Sequence, residues 1–161
     1  MSFISIENLT TRYNTSKGLV HALEDISFVI GKNESIGIAG ESACGKSTLG
    51  LSLIRMISNG KIYSGKITFD GKSLLDVSDD DFDKNIRWKE ISMVFQGAMN
   101  SLDPVFSIQE QFNEVLKQHN FKGDSKQSII QSLTSVNLDE SVLKKFPHEL
   151  SGGMKQRVII A

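Results

Sequence analysis

Gly40-Glu41-Ser42-Ala43-Cys44-Gly45-Lys46-Ser47-Thr48 decides how this 161-residue chain is read. The spacing fits G-x-x-x-x-G-K-[ST], the phosphate-binding P-loop. The flanks suit it. Ser35-Ile36-Gly37-Ile38-Ala39 reads as a short apolar strand, and Thr48 to Ser58 reads as a helix stopped by Asn59-Gly60. Glycines let backbone N–H groups turn inward around a polyphosphate with no Cβ in the way. The helix N-terminus adds partial positive charge. In this pattern Lys46 reaches the β- and γ-phosphates, and the Ser47 hydroxyl can ligate Mg²⁺. The competing reading is a glycine-rich turn with an exposed lysine.

Working outward, 161 residues suffice for one domain with a real core. A net charge of −1 gives no nucleic-acid footprint. No apolar run approaches a membrane span, and the N-terminus lacks the basic and apolar blocks of a signal peptide. Cys44 is the single cysteine, which excludes an internal disulfide and any multi-cysteine metal site. A reducing cytosol is the expected compartment.

Ile4, Ile6 and Leu9 begin one strand-like segment, Asn14 to Gly18 reads as a turn, and Val20 to Ile30 as a second extended segment. A turn at Gly31–Glu34, with Asn33 tolerating positive φ, leads to the P-loop strand. The N-terminal third is therefore expected to be an antiparallel β layer feeding a buried parallel strand. Lys66–Phe69 reads as a strand closed by Asp70-Gly71, a hairpin signal. Ser78 can cap a helix running to about Trp88, with Asp79–Asp81 at its positive end. Ile91–Phe95 reads as a further strand, placing Gln96 at its C-terminal edge, where ligands sit in open α/β sheets.

Beyond Gly97 the pattern turns helical. Ser107-Ile108-Gln109-Glu110 is a capping box opening a helix to about Gln118. Asp124 can cap a second helix, and a third short one holds Val142, Leu143 and Phe146 before Pro147. At Ser151-Gly152-Gly153-Met154 two glycines occupy the first turn of a helix, each costing about 1 kcal/mol against alanine. A bare N-terminus able to touch a phosphate would justify them; an ordinary Ser-Gly-Gly turn is the alternative.

Leu150-Ser151-Gly152-Gly153-Met154-Lys155-Gln156-Arg157 resembles the signature motif of ATP-binding-cassette (ABC) ATPases. The P-loop, Phe95-Gln96 and this motif follow in that family's order, so the resemblance covers the whole chain. Phe95–Val105 and Phe146–Met154 further resemble the dipeptide/oligopeptide (and nickel) importer ATPases. The resemblance implies an α/β P-loop NTPase with an N-terminal antiparallel β layer and an inserted helical subdomain. The expected blocks are 1–96 (β layer and P-loop core), 97–150 (helical subdomain) and 151–161 (signature motif and the start of its helix).

It implies ATP and Mg²⁺ as cofactors, with two subunits sandwiching two ATP molecules head to tail. Gly40, Glu41, Ser42, Ala43, Cys44, Gly45, Lys46, Ser47 and Thr48 would hold the phosphates. Ser151, Gly152 and Gly153 would contact the γ-phosphate held by the other subunit. Tyr13 would stack on adenine; its competing reading is a packing residue. Ser47 and Gln96 would serve Mg²⁺. Lys46 and Gln96 would act in hydrolysis, though Gln96 could also be a plain loop amide. Implied partners are transmembrane permease subunits, a second ABC ATPase subunit and, indirectly, an extracytoplasmic solute-binding protein. The implied place is the cytoplasmic membrane face, bound peripherally, energising di-/oligopeptide import.

Two departures stand out. Ala43 replaces the family's glycine, and positive φ there costs about 1 kcal/mol or more. The chain also stops at Ala161, before the family's Mg²⁺-binding Asp, water-activating Glu and switch His, and without the later strands of the core sheet. This segment alone is thus expected to bind ATP weakly and hydrolyse it poorly. The alternatives are a truncated, non-catalytic nucleotide-binding or dimerisation module, and an ABC ATPase acting on DNA or translation, which the near-zero charge disfavours.

Overall fold

Strand β1 (Ser2–Thr15) is the spine of an antiparallel sheet ordered β2-β1-β3-β4, where β2 is Gly18–Gly31, β3 Gly60–Phe69 and β4 Lys72–Ser73. The computed structural model describes residues 2–161. Met1, which opens the first expected block, lies outside them. The chain divides into two compact units, 1–93 and 94–161.

In the first unit, Ile6 and Leu9 are both buried although three residues apart. Strict alternation would put them on opposite faces. Asn8 resolves this by adopting a left-handed φ of 50°, a bulge that shifts the register of both ladders. Its amide donates to Ser27 Oγ at 2.8 Å and its Nδ2 to Asp25 Oδ1 at 2.5 Å, so the bulge is tied to β2. Gly65 faces the bulge with φ +105°, and a Cβ there would lie 2.6 Å from Leu9 Cα. The expected strand over Lys66–Phe69 is the end of the longer β3.

Helix α1 (Lys46–Leu53) packs Leu49 into a core of Ile6, Leu9, Leu23, Ile67, Leu74 and Phe82. It ends earlier than the expected Ser58, because Arg55 turns left-handed at φ 53°. Arg87 caps that end, donating from Nε to Ile54 O (3.0 Å) and from Nη2 to Arg55 O (3.3 Å). Helix α2 (Asp79–Asn85) is capped by Ser78, which accepts from Asp81 N. It buries Phe82 against the guanidiniums of Arg55 and Arg87, 4.9 and 5.3 Å from the ring centroid. Asn33 and Asn59 take the expected left-handed conformation, with φ 62° and 58°.

Two expected strands are absent. Residues 35–39 and 91–95 carry no ladder, and the sole parallel pairing among the described residues is an isolated bridge between Arg87 and Ile91. A parallel strand exists only through hydrogen bonds to flanking strands. No described strand lines up on 35–39, so Ile36 and Ile38 stay 41% and 50% exposed. Met93 instead leans on α1, its Cε 3.2 Å from the position a Cβ on Gly50 would take.

The second unit is helical: α3 (Ile108–Gln118), α4 (Ser125–Ser135) and α5 (Gly152–Ile160). Its core joins Ile108, Ile129, Leu133, Leu143, Leu150 and Val158, so α5 shares the core of α3 and α4. The expected third helix is two 3-10 turns, Glu140–Lys144 and Pro147–Glu149. Pro147 opens the second of these, where its missing N–H is harmless.

The capping box at Ser107 forms in full. Glu110 accepts from the Ser107 hydroxyl (2.6 Å) and amide (2.7 Å), and its own amide donates back to Ser107 Oγ (3.3 Å). Those bonds, the hydroxyl's first, hold the Glu110 carboxyl below its ordinary value. A lowered folded value means stability that is present above the unfolded pKa and lost as pH falls through the folded one. Glu110→Gln should therefore flatten the acid limb of stability, measured as urea midpoints between neutral pH and about pH 3. An unchanged limb would exclude Glu110 as its source. Separately, Arg87→Ala should destabilise by about 1–2 kcal/mol, read from urea unfolding, by uncapping α1 and baring Phe82.

Candidate functional site

The loop before α1 is built for concavity. Residues 34–41 run without secondary structure, and the turn then closes with Cys44 N donating to Glu41 O at 3.4 Å. Ala43 takes φ 63°, the left-handed geometry its alanine tolerates poorly. Gly45, with φ 96°, is the N-cap of α1 and supplies no side-chain cap. Leu49 N makes the first helical bond, to Gly45 O at 2.9 Å. The amides of Ser47 and Thr48 have no acceptor in the described chain. A Cβ on Gly40 would fall 2.6 Å from Cys44 Sγ and 3.9 Å from Lys46 Nζ, so a side chain there would fill the cradle.

Lys46 curls over its own loop. Nζ donates to Gly40 O (2.8 Å), Glu41 O (2.5 Å) and Cys44 Sγ (3.2 Å). The hydrogen bond from this ammonium, more than its charge, lowers the pKa of the exposed Cys44 thiol below the usual cysteine value. One cation, free first-turn amides and a helix N-terminus thus meet at one concave loop, which fits a polyphosphate. Ser47 lies exposed on the first turn, as a metal-ligating hydroxyl requires.

Three contacts pin this helix to the sheet. Gly45 abuts β2 so closely that a Cβ would lie 2.4 Å from Ala22 O and 2.9 Å from Leu23 Cδ2. The buried hydroxyls of Thr11 and Ser52 pair at 3.2 Å, and Ser52 Oγ also donates to Thr48 O at 2.7 Å. Tyr13, half-buried on β1, donates from its hydroxyl to Thr48 Oγ1 at 3.4 Å. The structure so brings Tyr13 to the helix of the P-loop. Sequence reasoning missed Thr11, Ser52 and Ala22; two hydroxyl residues and an alanine carry no motif, and only the packing joins them.

Gln96 and Ser151–Gly153 belong to the second unit. Gln96 is exposed and precedes Gly97 (φ 77°), from which the 3-10 turn Ala98–Ser101 runs beside α5. Ser151 caps α5 by accepting from Met154 N at 3.3 Å. A Cβ on Gly152 would find only Met99 Sδ, at 3.6 Å, and one on Gly153 would meet open space.

A glycine loop whose lysine and helix N-terminus converge on one cradle defines a P-loop phosphate-binding cassette. The model of the family described as "ABC transporter" matches residues 23–161, and the chain belongs to that family. It is 39% identical to the oligopeptide transport ATP-binding protein AppD of Bacillus subtilis, over 99% of this chain and 50% of that protein. Against the oligopeptide transport ATP-binding protein OppD of Escherichia coli the identity is 36%, over 99% and 48%. The chain spans about half the length of the curated relatives it matches. A solved dimeric bacterial ABC transporter cassette superposes with a TM-score of 0.81 at 28% identity, covering 98% of this chain and 67% of that one. The same cassette in a post-hydrolysis state bound to ADP and Pi gives 0.78 at 25% identity, with the same coverage.

The two glycine sites should respond oppositely to alanine. Gly45→Ala should destabilise by about 1–3 kcal/mol, because both φ and the Ala22 carbonyl oppose it. Gly153→Ala should stabilise by about 0.5–1 kcal/mol, as an unhindered helical position would. Chemical denaturation of both variants checks this; equal shifts would contradict the contrast.

Proposed function

We propose that this chain is the ATP-binding part of a subunit that hydrolyses ATP to energise import of di- or oligopeptides. The observation that carries the proposal is the P-loop cradle: Gly40–Thr48 with an uncapped α1 and Lys46 held at its mouth. Peptide as the solute is supported by the relatives, whose names are those of oligopeptide and dipeptide transport ATP-binding proteins.

In this reading Gly40, Gly45 and the amides of Ser47 and Thr48 wrap the phosphates, and Lys46 neutralises the β- and γ-phosphates. Ser47 and Gln96 would serve Mg²⁺, which would supply positive charge against the phosphates. Gln96 also orients the attacking water. Tyr13 offers its ring to adenine. Gly153 supports the other half of the reading. It adopts ordinary helical geometry with open space around it, so the fold gives no reason for glycine there. A phosphate approaching from a second ATPase subunit does give one, and Ser151 and Gly152 flank that approach. The helical unit would dock on transmembrane permease subunits at the cytoplasmic membrane face, with a solute-binding protein delivering peptide from outside. No helix among the described residues is long and apolar enough to cross a membrane.

Calorimetry of Mg-ATP against the chain and against Lys46→Ala tests the reading. Affinity should fall at least about tenfold in the variant, as expected for removing one partner of a charge-assisted contact. Equal affinities would exclude the loop as the nucleotide site.

A further inference from the structure

We infer that Gly60 is a positioning residue for the base-recognising ring of Tyr13, and so sets how strongly the chain prefers a nucleotide over a bare polyphosphate. The inference rests on the reading of Tyr13 as the residue that stacks on the base.

Gly60 opens β3 and stands directly opposite Tyr13 of β1. Its φ lies outside the left-handed region, so backbone conformation does not demand glycine. Space does. A Cβ at Gly60 would lie 2.6 Å from Arg12 O, 2.8 Å from Tyr13 Cδ1 and 3.1 Å from Ile57 Cγ2. The Tyr13 ring therefore lies across the bare backbone of its cross-strand partner, an arrangement in which an aromatic covers a glycine.

At its far end the same ring is tethered to α1, through the bond from its hydroxyl to Thr48 Oγ1. It thus spans from the first residue of β3 to the first turn of the P-loop helix. Its position is set by glycine at one end and threonine at the other. A methyl group on Gly60 would press on both a backbone carbonyl and the ring. Relieving the 2.6 Å approach to the Arg12 carbonyl takes a shift of the β1–β3 backbone, and the ring, at 2.8 Å, must move with it. Moving it by even a few tenths of an ångström strains the 3.4 Å bond to Thr48 and tilts the face offered to a base. None of the three atoms nearest a Cβ at Gly60 belongs to the phosphate cradle at Gly40–Ser47.

Mg-ATP and Mg-tripolyphosphate, titrated calorimetrically into the full chain, separate the two parts of the site, because tripolyphosphate has no base. The wild type should bind ATP more tightly. Gly60→Ala should weaken ATP by about tenfold, the scale of one base–aromatic stack, and leave tripolyphosphate unchanged. Tyr13→Leu should show the same loss, and adding Gly60→Ala to it should cost nothing further, since both act through one ring.

If the wild type binds both ligands equally, Tyr13 does not read a base, and the inference falls with that reading. If it prefers ATP and Gly60→Ala keeps that preference, or weakens both ligands alike, the inference alone is overturned. Should Gly60→Ala fail to fold, proton NMR of the wild type decides. The Gly60 α-protons should be shifted upfield by the ring, lose that shift in Tyr13→Leu, and move on adding ATP but not tripolyphosphate. Ordinary glycine shifts, or equal responses to the two ligands, would overturn it.

Discussion

A helix that offers its N-terminus to an anion cannot cap that end with its own side chain, and the first unit is arranged around this constraint. Gly45 leaves the end of α1 open, and as an N-cap it gives up about a few tenths of a kcal/mol against a serine or aspartate. The helix's position must come from elsewhere. Leu49 anchors it in the core, Gly45 seats it against the Ala22 carbonyl, and Ser52 ties its middle to Thr11. Arg87 closes its far end. The contacts of Leu49, Ser52 and Arg87 lie along the helix beyond the loop. Lys46 contributes inside the loop, where its ammonium gathers the carbonyls of Gly40 and Glu41 and keeps them from facing an incoming anion.

The second glycine-bearing helix solves a different problem. Ser151 caps α5, so its N-terminus is stable without help from neighbours. What it leaves bare is its flank, at Gly152 and Gly153. α1 is an open end fixed by packing, whereas α5 is a closed end with a smooth side.

Much of this was legible in the sequence, for a common physical reason. The P-loop spacing, the caps at Ser78, Ser107 and Asp124, and the left-handed turns at Asn33 and Asn59 depend on neighbours a few residues away. Local chemistry fixes them, and they appear as read. Residues 35–39 and 91–95 have the composition of buried strands, but a strand needs ladder partners, which composition cannot supply. The bulge at Asn8 escaped for the opposite reason: it depends on Gly65, far along the chain, and reverses the alternation used to read strands. The C-terminal end of α1 likewise depends on Arg87, more than thirty residues away, which no helix-stop rule includes. At the candidate site the motif residues were readable, while Gly60, Thr11 and Ser52 became visible only where strands and helix meet.

The position of β1 between β2 and β3 has a consequence for how the chain reaches its fold. The β1–β2 hairpin turns over Ser16 and Lys17 alone, with Thr15 Oγ1 bonded to Gly18 O at 2.7 Å, so it can zip from sequence-local contacts. The P-loop and α1 then form an excursion of the chain, residues 32–59, whose ends are brought together when β3 docks on the other edge of β1. The entropy lost in closing such an excursion grows only logarithmically with its length. Segments can therefore be lengthened or shortened between β2 and β3 with little effect on whether the sheet assembles. The sheet thus tolerates change in the loop at 34–45 without losing its β1–β2 and β1–β3 pairings.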